Sequence, residues 1–412
     1  MRTAVIGGGA AGFFLATNLK EMMPEMEVTI FESGQRVLRK VEVSGGGRCN
    51  CTNTFQGVSD LSQVYPRGHR LLKRLFHVFD YHDAYQWFER HGVPLVVQDD
   101  ECVFPRAQDS HAIIDCFLSQ ARRYGVKIVT GRGIASLDEL ADYDYVVVTT
   151  GGLSHTGGQT RTGRAGTGHA PISGWLEATG HEIVSPVPSL FSFTIANARL
   201  QALQGLVTKH ASVYLPGTKF RAEGPLLITH WGLSGPAILR LSSYAARHLA
   251  DCGYRVPLGI NWLSRSEADV QTLLVETSAR QPQKMLTTYN PFGLPQRLWI
   301  HLVEEGLPSP REGLGVGLRW GELGKIDMNR LVNTLTNYTC QIEGRAPFKD
   351  EFVTCGGVSL SSVNPTTLES RSVPHLYFAG EVLDIDGITG GFNFQAAWTT
   401  AYTVAKAIGG KG

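Results

Sequence analysis

The sequence predicts an α/β fold, opened by half a Rossmann crossover and interrupted in its middle by a β-rich and then a helical segment. Three observations predict it. A strand, a glycine turn, a helix and a second strand follow one another in about the first thirty residues. Short strands of the buried type recur at 144–149 and 376–380. Between 189 and 338 the periodicity changes twice.

Thr3-Ala-Val-Ile6 begins the first strand, 7–12 is the glycine turn, the stretch to about Met22 is helical, and Glu27 to Phe31 form the second strand. After a glycine-rich loop at 44–47, helical stretches at 69–78 and 80–91 lead to a hairpin-like segment at 94–104, a helix at 109–124 and a strand from Lys127 to Val129. The run 144–149 reads as a buried parallel strand whose carboxyl end meets Gly151 and Gly152, where ligand crevices of open α/β sheets lie. Composition changes at Pro186-Val-Pro188. Alternating runs at 192–195, 211–215, 226–229 and 255–260 then predict a β-rich subdomain broken by one helix near 237–250. From 265 the spacing of Val270, Leu273, Leu274 and Thr277, and later of Leu298, Ile300, Leu302 and Val303, is helical. Strand and glycine character return at 338–362, and a strand at 376–380 and a helix at 394–408 follow. The expected domains are therefore 1–188 with 339–412, then 189–264 and 265–338 as insertions.

A chain of 412 residues exceeds what one hydrophobic core supports, which fits two or three domains. Lys plus Arg number 38 against 37 Asp plus Glu, so the overall balance argues against nucleic acid or an anionic membrane as partner. Seven cysteines without a repeating framework fit reduced thiols, and no signal-like start or bilayer-length apolar run is present, so a cytoplasmic location is expected. The sequence leaves the oligomeric state open.

Gly7-Gly8-Gly9-Ala10-Ala11-Gly12 matches G-x-G-x-x-G directly after a strand and at the opening of a helix. In that context Gly7 permits the tight turn, Gly9 lets backbone approach a pyrophosphate, and Gly12 allows close helix–strand packing, while the helix N-terminus offers N–H groups to the anion. Glu32, at the end of the second strand, is placed to accept hydrogen bonds from ribose hydroxyls and would repel a 2′-phosphate. FAD or NAD, rather than NADP, is the expected dinucleotide.

Ser44, Gly45, Gly46, Arg48, Cys49 and Asn50 form a second small and polar cluster, read as backbone wrapping another part of the cofactor. Cys49 and Cys51 are one residue apart. A redox pair usually uses C-x-x-C and a zinc site needs further ligands, so both thiols are read as packing or cofactor-adjacent. Near the C-terminus, Gly380, Glu381, Asp384, Asp386 and Gly391-Phe392-Asn393 lie between a buried strand and a helix. There Asp384 or Asp386 can bind ribityl or ribose hydroxyls. Backbone N–H groups at 391–393 can face the pyrimidine end of a flavin and stabilise negative charge on its reduced ring. His155, His169 and His230 lie near glycine-rich segments without metal-ligand spacing, so no metal is expected. Gly313-Leu-Gly315-Val-Gly317 lacks the strand and third glycine of a second nucleotide site.

Taken together, 7–12 with Glu32, Ser44-Gly-Gly-Gly-Arg-Cys-Asn50, Thr229-His-Trp-Gly-Leu-Ser-Gly-Pro-Ala237, and Gly356-Gly357-Val358 with Phe378-Ala-Gly-Glu381 through Gly390-Gly-Phe-Asn393 resemble the BaiN-like, aminoacetone-oxidase-type family of bacterial NAD(P)/FAD-dependent oxidoreductases. The resemblance covers nearly the whole chain. It implies a Rossmann-like FAD-binding domain of the two-dinucleotide-binding type, interrupted by a β-barrel-like subdomain and a small helical one, with 229–236 toward the substrate side. Two departures bear on substrate access: Lys40-Val-Glu42-Val places an acid where the family is usually apolar, and 154–168 is richer in Gly, Thr and Arg.

The expected activity is hydride transfer between non-covalent FAD and a small organic substrate in a crevice beside the insertion. NAD(P)H, binding transiently, or oxygen is the redox partner, and His230 is the candidate proton carrier. A flavin-dependent hydroxylase or tRNA-modifying flavoprotein, and a non-enzymatic FAD-stabilised binding protein, are the alternatives. The near-zero net charge weighs against the tRNA reading.

Overall fold

Residues 1–153, 172–307, 317–346 and 353–410 are described by the computed structural model. The stretch 154–168, His155, His169, Gly313 and Gly315 lie outside the described residues. The chain divides into two compact units, Met1–Ser189 with Phe348–Gly412, and Leu190–Pro347.

The first unit is built on a five-stranded sheet in the order Leu376–Phe378, Tyr145–Val148, Arg2–Ile6, Glu27–Phe31, Lys127–Val129. All four pairings are parallel, with Ile6 aligned to both Phe31 and Val148. The four residues Tyr145–Val148 are all buried, as are the last four of Arg2–Ile6. Burial on both faces is why these strands carry unbroken apolar runs instead of alternation. The helices Ala10–Met22 and Phe392–Gly409 pack together, and their aromatic residues join those of Tyr81–Arg90 and His111–Arg123 in one core. Phe14 lies 5.0 Å from Trp398 and 4.5 Å from Trp87, ring centre to ring centre.

Two segments of this unit differ from the sequence expectation. The prolines at 186 and 188 lie inside a strand, Ile183–Ser189, paired antiparallel with Val353–Val358. This is a two-stranded sheet, so each strand has an open edge where a proline's missing N–H costs no ladder bond. The second is the helix Arg39–Gly47, in a stretch where no helix is expected; its helical backbone stops at Ser44, and Gly45 and Gly46 stand in the left-handed region at φ +57° and +68°, so the glycine cluster itself is a turn.

The second unit holds a closed six-stranded barrel, in the order Val207–Tyr214, Arg221–Ile228, Gly232–Ser234, Phe193–Ile195, Tyr338–Arg345, Pro257–Asn261. One of these strands was not expected, and another lies outside the domain in which it was expected. Gly232–Ser234 lies in what reads as a turn before a helix, and is the second arm of a tight hairpin with His230 and Trp231 at its tip. A Cβ at Gly232 would stand 2.1 Å from the Phe193 carbonyl oxygen, so glycine is needed for this strand to approach its neighbour. Tyr338–Arg345 closes the barrel against both Phe193–Ile195 and Pro257–Asn261, so the chain stays in the insertion past 339. Its burial alternates, with Tyr338 and Ile342 inward, the mark of a strand with one wet face. The single helix expected near 237–250 is two, Pro236–Tyr244 and Ala246–Asp251, separated at Ala245. Helices Glu267–Arg280, Gln296–Gly306 and Lys325–Thr336 complete the unit.

Trp398 ties the terminal helix to the segment around Cys51, because its buried Nε1 donates to the Cys51 carbonyl oxygen at 2.8 Å. Trp398→Phe keeps most of the ring but leaves that carbonyl without this donor. We expect a loss of about 1–3 kcal/mol, measured as a lower urea midpoint at unchanged m-value.

Candidate functional site

The first half of the site is the turn between Arg2–Ile6 and Ala10–Met22. Gly7 has φ +116°, and a Cβ there would lie 2.5 Å from the Thr149 carbonyl oxygen. A Cβ at Gly12 would lie 2.2 Å from the Gly7 carbonyl oxygen, so helix and strand touch through backbone. Thr149 Oγ1 closes the turn by donating to Gly7 O at 2.9 Å. Gly9 is different, since a Cβ there meets nothing within 4 Å. Ala10 and Ala11 follow it in the first helical turn, and among the described residues no side chain caps this helix start. Its free N–H groups therefore face open space beside a residue without a side chain, a fit to a pyrophosphate.

Glu32 is half-buried at the end of Glu27–Phe31. Its Oε2 accepts from Gly8 N at 2.9 Å and its Oε1 from Gly34 N at 2.7 Å. Two backbone donors thus fix the carboxylate and leave further lone pairs for hydroxyl donors.

The second half joins two segments some 340 residues apart in sequence. Thr52 Oγ1 donates to Gln395 Oε1 at 2.6 Å, and Asn53 Nδ2 donates to Gly390 O at 3.0 Å. In the amide orientation that satisfies both ends, Asn50 donates to Thr52 O and Val103 O and accepts from Gly391 N at 3.2 Å. Gly391 has φ +89°, and a Cβ would lie 2.2 Å from Thr52 O. Only glycine fits there. Tyr65 Oη donates to Phe392 O at 2.8 Å, and the Asn393 side chain both accepts from Gly387 N and donates to Gly387 O. The start of the helix Phe392–Gly409 is thereby held from three directions.

Residues 44–49 show how the second glycine cluster is held. Ser44 Oγ donates to Val41 O at 2.8 Å, and a Cβ at Gly45 would lie 3.0 Å from Asn50 N, while Gly46 has open space around it. Arg48 turns back on its own loop, donating to Gly45 O and Gln108 Oε1 with its guanidinium 4.3 Å from the Phe104 ring centre. Cys49 and Cys51 are fully buried, and none of the seven cysteines is in a disulfide. Burial pushes the Cys49 thiol up to about 12 and Cys51 well above the thiol range. Neither is a thiolate at neutral pH.

The three C-terminal acids separate. Glu381 bridges loops: its carboxylate accepts from Thr354 N at 2.8 Å and pairs with Lys40 Nζ at 2.8 Å. A Cβ at Gly152 would stand 3.0 Å from Glu381 Oε1, and Gly151, at φ +76°, 3.7 Å from its Oε2. Burial opposes its charge, but Lys40 and the N–H groups of Thr354 and Gly152 outweigh that and hold the carboxyl below its ordinary value. Gly380 N donates to Thr400 Oγ1 at 2.9 Å, which fixes the turn before it. Asp386 is fully buried, in a bidentate pair with Arg67 and accepting from Ser189 Oγ at 2.9 Å. Burial works against the Arg67 charge, but the hydrogen bonds and charge of Asp386 hold it above its ordinary value. Asp386 is thus committed to the protein and corrects the expectation that it can bind cofactor hydroxyls. Asp384 is half-buried, and its charge also acts on Arg67. His230 lies in the second unit, exposed at its hairpin tip, with its ring edge-on to Trp231 at 4.3 Å.

Sequence reasoning missed Lys40, Thr52, Asn53, Tyr65 and Arg67. Lys40 sits in the Lys40-Val-Glu42-Val stretch noted as unusual, but Glu42 itself pairs with Arg36 at the surface. No local pattern marks the others, because each acts on a partner hundreds of residues away.

Parallel sheet, fingerprint turn, acid at the end of the second strand and converging terminal helix define a dinucleotide-binding oxidoreductase of the flavoprotein class. Residues 1–407 match the family described as HI0933-like protein Rossmann domain, and the chain belongs to it; it is an FAD-dependent oxidoreductase of the BaiN and aminoacetone-oxidase type. It is 30% identical to the ribosomal RNA dihydrouridine synthase of Escherichia coli, across 98% of this chain and 96% of that protein. It is 27% identical to the ribosomal RNA dihydrouridine synthase of Haemophilus influenzae, across 98% and 97%. Identity to the 3-dehydro-bile acid delta(4,6)-reductase of Clostridium scindens is 26%, across 98% of each. No helix among the described residues is long and apolar enough to cross a membrane.

The state of Glu381 yields a pH test. A carboxyl whose folded pKa lies below its unfolded value stabilises the fold above the unfolded value, and loses that contribution as pH falls through the folded one. The stability difference between wild type and Glu381→Gln should therefore be full at neutral pH and shrink below about pH 4, measured by urea unfolding across a pH series.

Proposed function

We propose that this enzyme adds hydrogen across a carbon–carbon double bond conjugated to a carbonyl, and that its substrate is a uracil base of ribosomal RNA. The observation that carries the reading is the chemistry shared by the relatives' names. Dihydrouridine is uridine with its C5=C6 bond, conjugated to the C4 carbonyl, reduced. A delta(4,6)-reductase of a 3-dehydro-bile acid likewise reduces ring double bonds conjugated to a 3-oxo group. Uracil is favoured by the 30% identity to the Escherichia coli enzyme over nearly the full length of both chains.

Written in balance, uracil, NAD(P)H and a proton give dihydrouracil and NAD(P)⁺, with hydride delivered to C6 and a proton to C5. When bound, FAD supplies the hydride-carrying capacity. The chain's own residues hold and polarise. In this reading the helix start at Gly9, Ala10 and Ala11 binds the pyrophosphate, Glu32 the adenosine ribose, and Asp384 the ribityl chain. Gly391 N is taken by Asn50, so the first N–H groups of the helix Phe392–Gly409 that follow it would meet the pyrimidine edge of the flavin. Positive helix-end potential there favours negative charge on the reduced ring. Ser44, Gly45 and Gly46 offer backbone alongside. NAD(P)H binds transiently, since the sequence has no second nucleotide fingerprint. His230 is the proton carrier to C5.

Glu32→Ala removes the acceptor assigned to the ribose. FAD should dissociate about 10- to 100-fold more readily, read as flavin content after gel filtration; full retention would remove Glu32 from the site.

The activity is tested by incubating the enzyme with NADH or NADPH and ribosomal RNA lacking dihydrouridine, then digesting the RNA for nucleoside mass spectrometry. Dihydrouridine formation is expected, with His230→Ala slower by about 10²-fold or more and unchanged in its flavin spectrum. Absence of dihydrouridine with a reducible flavin would sink the RNA assignment.

A further inference from the structure

The near-neutral charge of the whole chain conceals a division between its two units. Residues 190–347 hold sixteen Lys and Arg against eleven Asp and Glu, and the remainder of the chain twenty-two against twenty-six. The excess is concentrated in 190–264, with seven cations, Arg199, Lys209, Lys219, Arg221, Arg240, Arg247 and Arg255, against Glu223 and Asp251.

The barrel topology gathers three of these cations at one end. Tyr214 ends the strand Val207–Tyr214 and pairs on one side with Arg221, on the other with Gly259 of Pro257–Asn261. The hairpin between the first two strands is ordered by Leu215 N donating to Phe220 O at 3.1 Å and by Thr218 Oγ1 donating to Leu215 O at 2.8 Å. This places Lys219 and Arg221 at the hairpin. The chain enters Pro257–Asn261 at the same end, past Arg255, because that strand runs antiparallel to Val207–Tyr214. Lys219, Arg221 and Arg255 are all exposed, and among the described residues none has an ion-pair partner. Aromatic surface lies among them. A Cβ at Gly259 would stand 2.2 Å from the Tyr214 ring, so that ring lies across the neighbouring strand, half-exposed. Phe220, also half-exposed, packs its ring 5.6 Å from that of His248.

We propose that this end of the barrel is an RNA-docking face, with Lys219, Arg221 and Arg255 neutralising backbone phosphates and Tyr214 and Phe220 offering ring faces to unpaired bases. Cations interleaved with half-exposed aromatics are what single-stranded RNA recognises: phosphate contacts supply affinity and ring stacking holds the bases. Elsewhere in the same unit an exposed cation is paired, Arg199 of the short helix Ala198–Gln201 with Glu304 and Glu305, whereas Glu223, the exposed acid two residues along the strand from Arg221, accepts from Ser212 Oγ at 3.1 Å. The inference rests on the RNA reading above and assigns the surface that holds the strand.

The test is fluorescence anisotropy of a labelled oligouridine RNA with the FAD-loaded enzyme and its Lys219→Gln/Arg221→Gln/Arg255→Gln variant. The variant should bind at least about tenfold more weakly at low salt, and its salt dependence should be shallower by about two in log–log slope. Flavin content and NAD(P)H oxidation should stay at wild-type levels, showing that the protein is folded. An Arg221→Lys/Arg255→Lys variant, which keeps the charges, should retain binding. Equal binding by wild type and the triple variant, no binding by the wild type, or wild-type binding to phosphatidylserine vesicles but not to RNA would each overturn the proposal. Charge-dependent RNA binding without dihydrouridine formation would keep the docking face and defeat the uracil-reduction reading. Dihydrouridine formation at equal rates by wild type and triple variant would do the reverse.

Discussion

The cofactor half of this protein depends on the buried seam between residues 50–53 and the start of the helix Phe392–Gly409. Its first unit is made from both ends of the chain, with a whole second unit encoded between them. Thr52 to Gln395, Asn53 to Gly390, Asn50 to Gly391 and Trp398 to Cys51 close that gap with four contacts, and Thr52, Gln395, Cys51 and Trp398 are fully or almost fully buried. Closing so long a loop costs only slightly more than closing a shorter one, because the entropy grows with the logarithm of length. Leaving these polar groups buried and unpaired would cost far more. The seam therefore fixes where the terminal helix begins, and with it the direction of the N–H groups at that end.

Three carboxylates near this frame behave differently because their neighbours differ. Glu32 is half-buried and held by two backbone donors that leave it able to accept more. Glu381 is kept ionised by Lys40 and backbone N–H groups, and ties Thr354 and the 151–152 loop to the turn after Leu376–Phe378. Asp386 is enclosed with Arg67 and Ser189, a fully paired arrangement that fixes the 386–388 turn. A buried ion pair gains little net stability, but removal of one partner is strongly unfavourable, so such a pair holds its segments in one arrangement. Site geometry here is set by acids that serve the fold as much as by those free to meet a ligand.

Charge is distributed with the same division of labour. The sheet unit carries the acidic excess and the barrel unit the basic one, so a chain with a formal charge of +1 has a net-positive insertion. Averaging over the chain removed that signal, and electrostatic attraction depends on local charge within a Debye length of about 8–10 Å. Net charge over the whole chain therefore does not decide whether one unit meets a polyanion.

What the sequence determined by itself is the local chemistry. Gly7, Gly9 and Gly12 follow from the spacing of one fingerprint turn and Glu32 from the length of one βαβ unit, so spacing alone located them. The parallel strands were legible because burial on both faces leaves an unbroken apolar run. Tertiary structure alone decided that Asp386 is enclosed with Arg67, why Gly391 tolerates no side chain, and that Gly232–Ser234 and Tyr338–Arg345 close a barrel. Each of these depends on atoms brought together from distant parts of the chain. A single side chain's partner across hundreds of residues leaves no periodic trace in the sequence around it.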